Sequence, residues 1–223
     1  MLDYKTLRNS YKFFNHQFSL RSSLIVFFGL TIRKDFELRG AEKMKILDLG
    51  CGKRKMPGAI GVDFKEETDA DIVHDLNAFP WPFRDDEFDM VIASQVLEHM
   101  KDFFRAMEEI HRITKDGGIV KVTTPHYTDS SSFRDPSHYW HLTSQSFALF
   151  DPNFSTSYFT TAKFKVKKVE IITLKLWKYL GFQFLINAVN LWYPLRFLRK
   201  FWEDYLCFII RGKVIQAELE VIK

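Results

Sequence analysis

Short, mainly apolar runs that end in glycine or polar residues mark the first half of this chain. Five runs share the pattern: residues 45–49, 59–62, 70–74, 88–93 and 119–123. Runs of this length and composition are typical of strands buried on both faces of a parallel sheet. We therefore predict five strands between residues 45 and 123.

Apolar residues recur at a spacing of three and four between the last two of these runs. The positions are Val96, Leu97, Met100, Phe103, Phe104, Met107, Ile110 and Ile113. This spacing predicts one amphipathic helix over residues 96–113, ended by the Gly-containing turn at 115–118. Strands that alternate with helices indicate an α/β fold with a doubly wound, mostly parallel sheet covered on both faces.

The last third of the chain predicts two more strands, separated by an aromatic segment. Residues 162–174 and 213–222 alternate between apolar and polar side chains, which is typical of an edge strand and a last strand. Residues 175–212 are rich in Trp, Phe, Leu and Tyr, and we expect Pro194 to divide them into two helices. An N-terminal helical segment, residues 1–44, is predicted to cover the sheet edge or the ligand mouth, or to bind a membrane or partner. The predicted domains are 1–44, a core at 45–174, the aromatic insertion at 175–212 and the last core strand at 213–223.

The insertion leaves three interpretations open. Its uncharged stretch, residues 179–195, is shorter than the roughly 20 residues of a membrane span and contains amide side chains. Basic residues flank that stretch: Lys175, Lys178, Arg196, Arg199 and Lys200. The insertion could be a lid or cap whose aromatic side chains belong to the core, a homodimer face, or an amphipathic element on an anionic membrane.

Composition limits the cellular setting and the partners. A net charge of +4 over 223 residues is too small to indicate nucleic-acid binding, so we expect no nucleic-acid partner. The two cysteines form no disulfide or metal pattern, and no cleavable signal is visible. We expect a cytoplasmic protein, with membrane association left open by the insertion.

The turn after the first strand and the acid after the second predict a ribose site. Gly50 and Gly52 allow a ligand to approach the backbone, and Asp63 ends the next strand. Lys53, Arg54 and Lys55 follow Gly52, so the G-x-G-x-x-G pattern of NAD and FAD proteins is absent. The connection over residues 50–59 is also too short for a full crossover helix, so we expect one or two turns or an irregular segment.

Six segments resemble the class I S-adenosylmethionine-dependent methyltransferases of the type 11 branch. They are Leu47-Asp-Leu-Gly-Cys-Gly52, Gly61-Val-Asp63, His74-Asp-Leu76, Pro82-Phe-Arg-Asp-Asp-Glu-Phe-Asp89, Gln95-Val-Leu-Glu-His99 and Arg112-Ile-Thr-Lys-Asp-Gly-Gly118. The resemblance covers residues 45–124 and implies a Rossmann-like fold whose last two strands form an antiparallel pair. Arg54 replaces the third glycine of the family's first motif, and the segment before Asp63 is shorter than usual.

The resemblance also implies S-adenosyl-L-methionine as cofactor and gives roles to individual residues. Gly50, Cys51 and Gly52 would face its methionine part, with Asp48 anchoring their loop and with Ser94 and Gln95 lining the same side. Asp63 would bind the ribose hydroxyls, Asp75 would accept from the adenine amino group, and the Leu76 backbone would contact the ring. His99 would cap or pack the helix that follows it rather than act as a catalyst.

Residues 125–141 form a dense polar loop after the fifth strand, where an acceptor would bind. One interpretation makes His126 or His138 the general base, with Asp135 or Arg134 orienting the acceptor and Tyr127 and His141 contacting it. A second is a structural loop of mutually satisfied side chains. A third is a metal site of His126, Asp135, His138 and His141, but this spacing matches no standard zinc signature and we predict no metal.

We therefore expect an enzyme that moves a methyl group to a small-molecule, glycan or lipid-linked acceptor. The alternative is a catalytically silent module that keeps the cofactor fold and serves as a partner or regulatory subunit.

Overall fold

The structure is a computed structural model that describes residues 44–154 and 157–223. The N-terminal helical segment predicted at 1–44 lies, apart from its last residue, outside the described residues. The strands are β1 Ile46–Leu49, β2 Ile60–Asp63, β3 Ile72–Val73, β4 Phe88–Ser94, β5 Thr114–Pro125, β6 Lys163–Thr173 and β7 Gly212–Ile222. The helices are α1 Phe103–Ile113, α2 Ser130–Arg134, α3 Lys175–Tyr179, α4 Phe182–Asn187 and α5 Arg196–Phe201.

The strands described form one sheet in the order β3-β2-β1-β4-β5-β7-β6. β1 to β5 pair in parallel, whereas β7 runs antiparallel to both β5 and β6. Leu47, Leu49 and Val91 in the middle of the sheet are fully buried, as strands covered on both faces must be. The predicted fold, including the antiparallel pair at one end, is confirmed.

The predicted helix over residues 96–113 is wrong in its first third. A short 3₁₀ turn, Leu97–His99, is followed by an extended residue, Met100, and α1 begins only after Asp102. Asp102 caps α1 by accepting a hydrogen bond from the Arg105 N–H at 2.9 Å. The carbonyl of Met100 accepts instead from the Trp140 indole at 2.7 Å, so a tertiary contact replaces a helical one. The apolar face itself is correct, since its α1 members, Phe104 apart, are buried.

The connection from β1 to β2, all of it described, contains turns and no helix. Its turns are held by the buried carboxylate of Asp48, which accepts from the Met56 N–H at 2.7 Å, and by the Cys51 N–H, which donates to Val62 O at 3.1 Å. Of the two alternatives that we predicted from its length, the irregular connection is the one observed.

The 175–212 insertion is helical and covers the outer edge of β6. Besides α3, α4 and α5 it contains the turns Ala188–Asn190 and Tyr193–Leu195 and a π-helical turn, Trp202–Leu206. Pro194 lies in the turn between α4 and α5, as expected, but the segment contains three α-helices rather than two, because Gly181 with φ +82° separates α3 from α4. No helix within residues 44–154 and 157–223 is long and apolar enough to cross a bilayer.

Polar side chains of the insertion satisfy the backbone at the edge of β6. Asn187 accepts from the Ile171 N–H and donates to Ile171 O, each at 2.8 Å. Asn190 and Arg199 both donate to Val169 O at 2.8 Å. An edge strand otherwise exposes such groups, and each would cost free energy if buried without a partner. The amides that make this stretch a poor membrane span are therefore the groups that attach it to the sheet.

Candidate active site

The residues implied by the family resemblance lie at the carboxyl ends of parallel strands. Residues 50–52 follow β1, Asp63 ends β2, Ser94 ends β4, and residues 125–141 follow or end β5. In a parallel sheet these ends share one edge, which is where open α/β sheets bind ligands. We call this side the carboxyl edge.

Two glycines after β1 have the left-handed backbone conformation but different surroundings. Gly50 has φ +58°, and a Cβ there would lie 2.5 Å from Val96 Cγ2. Gly52 has φ +56°, and among the described residues, its two chain neighbours apart, no atom lies within 4 Å of the place where its Cβ would be. The loop is thus packed against the protein at Gly50 and open at Gly52, which leaves space for a ligand.

Asp63 connects the end of β2 to this loop. Its carboxylate accepts from the Gly52 N–H at 2.9 Å through Oδ2 and from the Lys65 N–H at 3.2 Å through Oδ1. Each carboxylate oxygen can accept about two hydrogen bonds, so one position remains on each for a ligand hydroxyl. Two vicinal ribose hydroxyls fit this pair of acceptors, and an adenosyl cofactor is compatible with the open face at Gly52.

Burial raises the pKa values of the two titratable side chains at this loop, Asp48 and Cys51. Burial raises the pKa of Asp48 to about 6, although the Met56 N–H opposes the shift. Burial, followed by the charges of Asp48 and Asp63, raises the pKa of the Cys51 thiol to about 11. Cys51 is therefore a neutral thiol at neutral pH and a poor nucleophile.

The other predicted cofactor residues follow the strands as expected. Asp75 is exposed and accepts from the Asn77 N–H at 2.9 Å, while Leu76 is buried and its carbonyl accepts from the Trp81 indole at 3.0 Å.

Ser94 and Gln95 are both exposed. Gln95 has φ +59°, and its N–H donates to Thr123 O at 2.7 Å. Their contacts with the cofactor, like those of Asp75 and Leu76, stay predictions.

His126 is enclosed beneath the insertion. Its side chain is fully buried, its ring lies 5.3 Å from that of Trp202, and Nδ1 lies 2.7 Å from Thr128 Oγ1. Nε2 lies 3.8 Å from Glu203 Oε1, which is too long for a hydrogen bond. Burial opposes ionisation of Glu203, but the neighbouring His126 and then the Ser144 N–H and hydroxyl hold its pKa below the ordinary value. Nε2 is thus buried without a hydrogen-bond partner among the described residues, and the role of His126 as a base stays a prediction.

The three residues predicted to contact the acceptor, Tyr127, Arg134 and His141, lie in different surroundings. The Tyr127 hydroxyl lies 3.0 Å from Cys207 Sγ, and burial, then this contact, raises the Tyr127 pKa. Arg134 is exposed on α2, and the His141 ring stacks on Phe133 at 3.9 Å.

His138 pairs with His99, which the sequence analysis assigned to capping or packing the following helix. Their rings lie 4.5 Å apart and nearly perpendicular. His138 Nδ1 lies 3.0 Å from Ser132 O, and His99 Nδ1 lies 3.3 Å from Ser137 O. The Ser137 hydroxyl donates to Asp135 Oδ1 at 2.6 Å, so Asp135 acts on this pair through Ser137.

Glu98 completes the group, and the sequence analysis missed it. It is 1% exposed, and neither carboxyl oxygen has a hydrogen-bond partner in the part of the chain that is described. Burial raises the pKa of Glu98 to about 7, although its own backbone N–H and then the Thr124 hydroxyl oppose the shift from positions outside hydrogen-bond geometry. Burial, then the neighbouring His138, lowers the pKa of His99. The sequence does place an acid and an imidazole, Glu98 and His99, side by side after β4. We interpreted His99 there as a residue that caps or packs the following helix.

Comparisons with known proteins agree with this geometry. A family model described as "Methyltransferase domain" matches residues 28–169, more than half of the chain. A curated protein of Mycolicibacterium smegmatis, named "Probable S-adenosylmethionine-dependent methyltransferase", is 31% identical over 110 residues, which are 40% of this chain and 41% of that protein. The chain thus spans about two fifths of the length of that relative.

Two solved structures show the same fold at low identity. A SAM-dependent methyltransferase from Archaeoglobus fulgidus has a TM-score of 0.55 and 16% identity, with 98% of this chain and 100% of that one covered. The (4+2)-cyclase SpnF has a TM-score of 0.55 and 18% identity, with 93% and 84% covered. The family match, the strand order and the residues at the carboxyl edge together mean that this chain belongs to the class I S-adenosylmethionine-dependent methyltransferases, as its resemblance to them implied.

Proposed function

We propose that this protein transfers the methyl group of S-adenosylmethionine to a small-molecule, glycan or lipid-linked acceptor bound beside residues 126–141. The observation that carries the proposal is the link from Asp63 to the Gly52 N–H, next to the open face of the loop. It offers a carboxylate with unused acceptor positions beside backbone that a ligand can approach.

The bound cofactor would supply a methyl group already activated on a sulfonium, so the protein's main task is to position the two reactants. Asp63 would hold the ribose, Asp75 and Leu76 the adenine, and Ser94 with residues 50–52 the methionine part. For a hydroxyl or amine acceptor the protein must also hold a proton or a charge. Of the two predicted bases, His138 suits this better, because it is only half-buried and its Nδ1 is directed at Ser132 O, which leaves Nε2 available.

Calorimetry with S-adenosylhomocysteine tests the cofactor site. The Asp63→Ala variant should lose about 2 kcal/mol of binding free energy, roughly 30-fold in affinity, since it removes hydrogen bonds to a charged group. Asp116→Asn is the matched control, because Asp116 lies near the opposite, amino end of β5 and accepts from the Lys223 N–H. Unchanged binding by folded Asp63→Ala, or no binding by the parent protein, would contradict the proposal.

The silent-module alternative has one observation in its favour. SpnF shares the fold and is named for a different reaction, a cyclisation. Binding of S-adenosylhomocysteine without methyl transfer to any of a broad set of hydroxyl, amine and glycolipid acceptors would favour this alternative.

We also propose that the insertion lies on an anionic membrane surface. Most of its large apolar side chains are exposed rather than core: Leu176, Tyr179, Leu180, Phe184, Leu185, Leu191, Trp192, Tyr193, Phe197, Phe201, Tyr205, Phe208 and Ile209. Exposed basic residues accompany them, namely Lys175, Lys178, Arg196 and Lys200. Apolar and aromatic side chains with adjacent Lys and Arg suit the boundary between headgroups and acyl chains.

Sedimentation with vesicles tests this surface. The protein should sediment with phosphatidylserine vesicles at low salt and less with uncharged vesicles, since each basic residue near the surface contributes about 1 kcal/mol. Lys175→Gln with Lys178→Gln should reduce sedimentation, whereas Lys53→Gln with Lys101→Gln, an equal loss of charge elsewhere, should not. Concentration-dependent dimerisation without vesicle binding would identify the insertion as a homodimer face instead.

A further inference from the structure

We propose that Glu98, His99 and His138 bind a divalent first-row transition-metal cation. Its part in methyl transfer would rest on the function proposed above, whereas binding of the cation does not. Three observations carry the proposal: the spacing of the donor atoms, the orientation of the two imidazoles, and a buried carboxylate without a partner.

The donor atoms converge on one point. One ligand atom from each of the three side chains lies within 4.8 Å of the other two. Glu98 and His99 are brought there by the 3₁₀ turn after β4, and His138 by the loop after α2. The histidines are half-buried, so an ion can enter from solvent.

Backbone carbonyls orient both imidazoles for coordination. Nδ1 of His138 faces Ser132 O at 3.0 Å, and Nδ1 of His99 faces Ser137 Oγ at 3.0 Å and Ser137 O at 3.3 Å. A carbonyl only accepts, and the Ser137 hydroxyl donates its one proton to Asp135, so each Nδ1 carries the proton and each Nε2 keeps its lone pair. Histidines that bind metals characteristically donate their second N–H to a carbonyl or carboxylate, which fixes the ring.

The carboxylate of Glu98 supplies the independent observation. A carboxyl group that is 1% exposed and has no hydrogen bond from the described residues is costly, because burial removes water without replacing it. A cation held between this carboxylate and two neutral imidazoles would satisfy both oxygens. Neither helix capping nor core packing gives this side chain a comparable partner.

The donor set indicates the class of cation and its chemistry. Two imidazole nitrogens and one carboxylate oxygen are typical of Zn²⁺, Fe²⁺ or Co²⁺ rather than Ca²⁺ or Mg²⁺, which prefer oxygen. Three protein ligands leave a coordination position open, as in catalytic zinc sites. An acceptor hydroxyl bound there would become more acidic and would release its proton to solvent water, so His138 would hold this Lewis acid instead of removing the proton itself.

This set shares only His138 with the metal site considered from the sequence. His126 is enclosed under Trp202, Asp135 accepts from Ser137, and His141 Nδ1 lies 2.9 Å from Ser132 Oγ. These contacts keep the other three side chains engaged elsewhere, and they make His141 a suitable control.

Metal titration of the tag-free full chain, after treatment with chelator and dialysis, tests the site. We expect one Zn²⁺ per chain by calorimetry and one Co²⁺ with the visible absorption of a low-coordinate N/O site. His138→Ala and Glu98→Gln should each weaken binding by at least about 100-fold, while His141→Ala should bind as the parent protein does. Circular dichroism confirms that each variant is folded, and Glu98→Gln, which keeps the side chain's shape, serves if His138→Ala does not fold.

The outcomes separate this inference from the proposed function. No saturable binding of either ion by the parent protein would overturn the inference, as would parent-like binding by folded His138→Ala or Glu98→Gln. Binding of S-adenosylhomocysteine without metal binding would remove only the metal site. Metal binding without S-adenosylhomocysteine binding would remove the methyl-transfer function and leave the site.

Discussion

Replacing Gly50 by alanine tests how the cofactor loop is held against the sheet. A residue with a side chain costs about 1–2 kcal/mol in the left-handed conformation that Gly50 adopts. Its Cβ would also lie 2.5 Å from Val96 Cγ2, and overpacking of this kind costs a further 1–3 kcal/mol, roughly. We therefore expect Gly50→Ala to lower the free energy of unfolding by about 2–5 kcal/mol.

Gly52→Ala is the matched comparison. Gly52 has nearly the same φ, but its Cβ would meet no atom within 4 Å among the described residues. It should therefore cost only the conformational part, about 1–2 kcal/mol. The same methyl group would enter the open face of the loop, so Gly52→Ala should weaken S-adenosylhomocysteine binding more than its small effect on stability suggests.

A double-mutant cycle with Val96→Ala isolates the contact, because that change removes the methyl group that the new Cβ would meet. Urea unfolding of the four proteins without ligand should give a coupling free energy of about 1–3 kcal/mol, with the second change partly rescuing the first. Equal stabilities of the Gly50→Ala and Gly52→Ala variants, or a coupling near zero, would refute the steric argument.

Three further predictions follow from buried polar contacts. The pKa of Asp48 is raised from 3.8 to about 6, so the folded protein holds a proton there that the unfolded chain has already released, and stability decreases as pH rises from 4 to 6. The free energy of unfolding of Asp48→Asn should therefore rise by up to about 3 kcal/mol relative to the parent protein across that range. A difference in unfolding free energy that stays constant between pH 4 and 7 would contradict this. Asn187→Leu should lower the free energy of unfolding by about 2–4 kcal/mol, since it leaves the Ile171 N–H and carbonyl without these partners. A change below about 1 kcal/mol would contradict a stabilising role for the contacts at the edge of β6. Arg112 donates to Trp81 O at 3.1 Å, so Arg112→Met should lower the free energy of unfolding by about 1–3 kcal/mol and expose the Trp81 indole to a fluorescence quencher. Unchanged quenching would contradict this role of Arg112.

Local sequence patterns predict the sheet because the strands depend mainly on local composition. Each apolar run became a strand, and the predicted ribose site consists of two strand ends that a parallel sheet must bring together. The break at Met100 could not be predicted in the same way. It depends on the Trp140 indole, 40 residues away in sequence, and on the Asn77 side chain, which accepts from the Lys101 N–H.

The arrangement of the candidate acceptor site is even harder to predict from local sequence patterns. The sequence placed His126 and His138 in one polar loop, and nothing in that spacing distinguishes them. The insertion, more than 70 residues later, encloses His126 through Trp202, whereas His138 meets His99 from the turn after β4. Such groupings depend on the path of long connections, which local periodicity does not encode.

Residues 169–173 of β6 have consequences for how copies of this protein can meet. The positions that an added strand would use are already taken by Asn187, Asn190 and Arg199. A second chain therefore cannot extend the sheet here by strand addition while the insertion is in place, and a dimer on this region would use the outward side chains of the insertion. Mild heating that detaches the insertion before the sheet unfolds would expose the unpaired backbone groups of β6. Fibrous aggregation should therefore follow the loss of those amide contacts, without global unfolding of the protein.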